Sequence, residues 1–139
     1  MTPQKGFTLT ELITVVATGA LMAALAVPRY LALNTQTRIS SVTALASHVE
    51  NTARLTNRVW NSAGEPDNVV IEGRVIDMQY GFPTDQAIGD VVVNNGDYLF
   101  GNGYWKHQET ARDKGCAVLY IPPVTDRGQF QVITYTDGC

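Results

Sequence analysis

Apolar and polar positions change their rhythm along this chain. From Leu12 to Val27, "LITVVATGALMAALAV", no residue is charged, and widening the window to 7–28 adds only Glu11. A helix needs about 20 residues to cross about 30 Å of hydrocarbon, so the run reaches spanning length only with Glu11 included. Lys5 and the amino terminus precede it, which places the N-terminus in the cytoplasm and sends the rest of the chain across the membrane. Past Pro28 the pattern turns amphipathic. Ile39, Val42, Ala46, Val49, Ala53, Thr56 and Trp60 recur at steps of three and four, while Arg38, His48, Glu50, Asn51, Arg54 and Arg58 fall elsewhere. One helix of about 50 residues is predicted, running to about Asn61, where Ser62-Ala63-Gly64-Glu65-Pro66 stops it with a glycine and a proline. Its weak stretch is Gly19 to Pro28: proline forfeits the bond to the Ala24 carbonyl and glycine adds backbone entropy, so a kink or local unwinding is expected there.

The remainder switches to short apolar runs and turn signals. Val69–Ile71 and Arg74–Met78 read as strands around Gly73, Tyr80-Gly81-Phe82-Pro83 as a turn, and 84–93 as a short helical turn capped by Thr84 or Asp85. Asn94-Asn95-Gly96-Asp97 and Gly101-Asn102-Gly103 read as loops. Cys116–Ile121 and Gln129–Thr136 alternate β-branched and aromatic residues on either side of "PPVTDRG" and predict an antiparallel hairpin. The small sheet must pack on the stripe from Ile39 to Trp60, which makes the fold class α+β. The chain divides into 1–6, an apolar helix over 7–28, an amphipathic half over 29–61 and a β-sheet head over 62–139.

Composition narrows the function classes. A net charge of -3, with 10 Lys plus Arg, gives no general attraction to nucleic acid. The two cysteines, Cys116 and Cys139, have no metal-site spacing, so a disulfide in an oxidising compartment is the first reading and a free buried pair the alternative. His48 and His107 lack a metal or nucleophile partner, and Asp85, Asp90, Asp97, Asp113 and Asp126 lack the spacing of a calcium loop. Trp60, Tyr104 and Trp105 read as core or interface aromatics. No enzymatic chemistry and no cofactor are expected. A secretory signal cut after Ala24-Leu25-Ala26 competes with the membrane-helix reading, although the helical pattern continues unbroken past Ala26.

Glu11 is left over. A carboxylate in hydrocarbon is costly unless it finds a partner. "KGFTLTEL" resembles the prepilin signature of type IV pilins, in which a short basic leader ends in glycine and is followed by phenylalanine, then a glutamate four residues on, then an apolar helix. The resemblance implies the type IV pilin fold, a leader over 1–6, cleavage by a prepilin peptidase between Gly6 and Phe7, and methylation of the new Phe7 amine. It also implies that Glu11 sets the register between subunits by meeting the Phe7 ammonium of a neighbour, a pairing that selects position more than it adds stability. Pro28 stands where many such pilins keep a helix-weakening proline. "PRYLALNTQTRISSVTALASHVENTARL", "YGFPT" and the final "GC" are similar to the mannose-sensitive haemagglutinin branch, whereas Ala20, beside Gly19, stands where many relatives have glycine.

By that resemblance the chain is a structural subunit, held in the inner membrane before assembly and then polymerised with other pilin subunits into an extracellular pilus for adhesion or motility. Its partners are the peptidase, an inner-membrane platform with its ATPase, and a receptor on the target surface. A minor pilin or secretion pseudopilin is the nearest rival. A tip module binding DNA or a glycan is another, with Lys106, His107, Arg112 and Lys114 as its basic patch. Lys114, Asp126, Arg127 and Asp137 would form a solvated face along the disulfide loop.

Overall fold

The computed structural model describes residues 6–94, 96–110 and 115–139. Its first element, α1, is a single α-helix over Leu9–Ser62. The helix ends in a Schellman motif. Gly64 takes φ +86°, the Glu65 N–H donates to the Trp60 carbonyl (3.1 Å), and the Gly64 N–H donates to that of Asn61 (3.4 Å). Pro66 then prevents continuation, as the sequence predicts. The expected unwinding between Gly19 and Pro28 is absent, because α1 is unbroken through both residues. Proline removes one N–H donor from the ladder, and helical geometry survives that single loss when its neighbours keep theirs.

The chain forms two compact units, Met1–Gln36 and Thr37–Cys139. In the first, described side chains from 6 to 33 are all exposed, including Leu12, Ile13, Leu21 and Leu25. Its helix is long and apolar enough for a membrane span or signal anchor, with a mean hydropathy of 1.9 over its 18-residue window.

In the second unit the remainder of α1 carries two antiparallel sheets. Strands β1 (Asn68–Ile71), β2 (Arg74–Gln79) and β3 (Phe82–Pro83) form one; β4 (Tyr98–Gly101), β5 (Tyr104–His107), β6 (Ala117–Ile121) and β7 (Gln131–Tyr135) form the other, in chain order. Helix α2, Ile88–Val91, lies between them in sequence. Its N-cap is Ala87, not Thr84 or Asp85, and no side chain caps it; the Thr84 hydroxyl instead accepts the Ala87 N–H (3.1 Å) one turn earlier. The two-residue turns Glu72-Gly73, Tyr80-Gly81 and Asn102-Gly103 all have positive φ at both positions, the geometry that joins right-twisted strands. Gly101-Asn102-Gly103, expected as a loop, is therefore the corner of the β4–β5 hairpin, with Gly101 opposite Tyr104.

One core joins Val42, Leu45, Ala46, Val49 and Ala53 of α1 to Ile88, Trp105, Val118 and Tyr120. The predicted stripe is the buried face, with Leu45 added and with Ile39 and Trp60 half-buried at its ends. Trp105 is a core aromatic at 0% exposure. A second cluster packs Val69, Ile76 and Ala87 under Trp60. The result is an α+β arrangement, a long N-terminal helix against a four-stranded antiparallel sheet, consistent with a pilin fold.

Candidate functional site

Gly6, Phe7 and Thr8 precede the helix in exposed, non-helical backbone, and Phe7 is 85% exposed. A peptidase needs an accessible bond outside regular helix, and Gly6-Phe7 is both exposed and non-helical. Lys5 and the other leader residues before Gly6 lie outside the described residues.

Glu11 is not alone within its own chain. Thr8 and Glu11 form a capping box: the Thr8 N–H and its Oγ1 each donate to Glu11 Oε2 at 2.8 Å, while the Glu11 N–H donates to Thr8 Oγ1 at 3.3 Å. The carboxylate also sits in the first helical turn, where the unpaired N–H groups and the helix dipole favour an anion. The sequence reading sought the partner of Glu11 only in a neighbouring chain. The missed signal was the T-x-x-E spacing ahead of an apolar run, the ordinary mark of a helix start. A cation brought to Glu11 would meet a carboxylate already oriented and would compete with Thr8 for one of its oxygens.

One turn on, the helix conceals more of its polar surface. The Thr14 hydroxyl donates to the Thr10 carbonyl, and the Thr18 hydroxyl to that of Thr14 at 2.6 Å. Each hydroxyl is thereby satisfied without water, which suits an apolar surrounding. Gly19 and Pro28 lie farther along the same unit, and a Cβ built at Gly19 would meet nothing within 4 Å.

In the second unit Cys116 and Cys139 are joined by a disulfide, with Cα atoms 4.7 Å apart. The Gly138 N–H donates to the Gly115 carbonyl at 2.7 Å, so a backbone bond accompanies the covalent one. Arg38 on α1 reaches the same corner: its guanidinium donates to the Cys139 carbonyl (3.5 Å) and pairs with Glu109 (3.1 Å). Asp126, Arg127 and Asp137 are exposed along the closed segment.

The suggested basic patch is only partly described, because Arg112 and Lys114 lie outside the described residues, as does Asp113. Lys106 is half-buried, and the His107 Nδ1 accepts the Glu109 N–H while its ring meets Tyr98 edge-on at 5.3 Å. Those contacts give His107 a structural task. Among the described residues no group of His, Cys, Asp or Glu could hold a metal ion. Two tyrosines have hydroxyls made harder to ionise, each chiefly by burial. Tyr120, which donates to the Pro83 carbonyl at 2.8 Å, is pushed far up, with the Asp85 charge adding to the effect. Tyr98 is raised by burial, and a hydrogen bond with Ser41 partly opposes the shift. No family model, curated protein or solved structure matches this chain.

Proposed function

We propose that this chain is the structural subunit of a type IV pilus, similar to the mannose-sensitive haemagglutinin branch, which serves adhesion or motility. The observation that supports this most is the division of α1. Its first unit exposes apolar side chains throughout, while from Thr37 onward its apolar stripe is covered by sheet. The exposed part requires an apolar surrounding. The inner membrane supplies it before assembly, with the N-terminus in the cytoplasm, and the helices of neighbouring copies supply it in the filament. Ala17, Gly19, Ala20, Ala23 and Ala24 let such helices approach closely. A prepilin peptidase cuts before Phe7 and methylates its amine; a membrane platform and its ATPase extract the subunit. Glu11, presented by Thr8, then accepts the Phe7 ammonium of a neighbour.

Intact mass and N-terminal sequencing of sheared surface fibres test this reading, beside a Glu11→Ala strain. Abundant fibres of chains beginning at methylated Phe7, reduced roughly tenfold or more in the variant, are the expected result. Soluble chains beginning at Val27 overturn it in favour of a secretory signal. Correctly cut chains that never enter fibres move the assignment to a minor pilin or pseudopilin.

A further inference from the structure

Beside the end of α1 lies a groove of about 1040 Å³ whose walls come from three separate pieces of chain: the helix terminus with 65–67, the β2–β3 turn, and Val124, Asp126 and Gly128. Side-chain bonds to backbone fix these walls together. Asn57 Nδ2 donates to the Gly81 carbonyl at 2.7 Å, Trp60 Nε1 to that of Pro66 at 2.7 Å, and Gln79 Nε2 to that of Pro123 at 2.7 Å. Gly81 lies so close under Trp60 that a Cβ there would come within 2.8 Å of the indole. The floor and one rim are apolar or aromatic, with Phe82 half-buried, Tyr80 50% exposed and Val124 78% exposed.

The remaining rim is anionic. Glu65, Asp67 and Asp126 line the groove, no lysine or arginine does, and the ion pairs among the described residues use other acids. These three do not converge tightly enough to hold a metal ion. Separated carboxylates around an aromatic floor match an extended partner with several positive charges on aliphatic stems, which can cover the apolar surface while their heads meet the carboxylates and ring faces.

We propose that this groove docks an extended, lysine- and arginine-bearing segment of another polypeptide. The idea stands apart from the filament reading, since every residue used belongs to the second unit.

The full chain in detergent micelles, titrated with a fluorescein-labelled eight-residue peptide of alternating Lys and Ser, tests it by fluorescence anisotropy at near-physiological salt. Saturable binding, weakened about tenfold or more by joint Glu65→Gln, Asp67→Asn and Asp126→Asn substitution, is expected. A control triple, Asp90→Asn, Asp97→Asn and Asp137→Asn, changes net charge equally and should leave binding within about twofold. Tyr80→Ala should weaken it severalfold without altering the thermal transition. No saturable binding, equal weakening by both triples, or displacement by spermine at equal charge concentration overturns the proposal. So does displacement of the peptide on raising the concentration of unlabelled full chain, which would assign the groove to a second copy.

Discussion

Thr8 and Tyr120 show how one hydroxyl can decide what its neighbour does. Thr8→Val removes the Oγ1 bonds to Glu11 and leaves only the backbone N–H to hold the carboxylate. The first turn of α1 should then fray, with amide hydrogen exchange at Glu11 and Leu12, the N–H groups bonded to Thr8, accelerating by roughly fivefold in micelles. Thr8→Ser, which keeps the hydroxyl, should restore the protection. At Tyr120 the folded chain raises the pKa above its unfolded value, so its contribution is complete below about pH 10 and is lost as pH climbs toward the folded value. Stability should therefore fall from about pH 10 upward, and Tyr120→Phe should flatten that fall while costing about 1 kcal/mol at neutral pH through the unpaired Pro83 carbonyl. Denaturant titrations at a series of pH values read both effects.

Among the elements, Asn102-Gly103 is the most exacting turn. Gly103 takes φ +72°, and a Cβ there would lie 2.6 Å from the Tyr120 carbonyl oxygen, which is backbone and cannot swing aside. Gly103→Ala should cost roughly 2 kcal/mol or more, seen as a lower denaturation midpoint, whereas Gly73→Ala, with open space around it, should cost only its positive-φ strain of about 1 kcal/mol. That contrast also explains what could be read in advance. Helix α1 was legible because Val42 to Thr56 repeat at helical spacing and Gly64-Glu65-Pro66 closes it. The β1–β2 and β6–β7 hairpins were legible because their apolar runs are bracketed by turn residues. The β4–β5 hairpin was not, since glycines at 101 and 103 made the corner resemble a loop, although Asn-Gly between aromatic runs is a strong hairpin signal. Glu11 stood out by its charge; Thr8 did not, because a threonine beside an apolar run attracts no notice until its reach to position 11 is considered. The groove was hidden because its three walls are separated in sequence and come together only in the folded chain.

At the scale of the whole molecule, the disulfide bounds how far the segment that follows β7 can stray from the sheet. Cys116 and Cys139 are 23 residues apart, and closing such a loop contributes about 3 kcal/mol by limiting the unfolded ensemble. The Cys116→Ser/Cys139→Ser double variant should lose about that much in equilibrium denaturation, and reductant should lower the unmodified chain to the same level. Any assembly that depends on the second unit's surface should weaken with it. The four-stranded sheet adds a consequence for how the molecule is made. Because β4, β5, β6 and β7 lie side by side in the order of their synthesis, each strand arriving behind α1 finds its partner already in place. No early strand has to wait with both edges open for one encoded much later, so the interval of adhesive exposure during synthesis is short. Cys139 follows β7 in the chain, so its oxidation records that the sheet before it has closed.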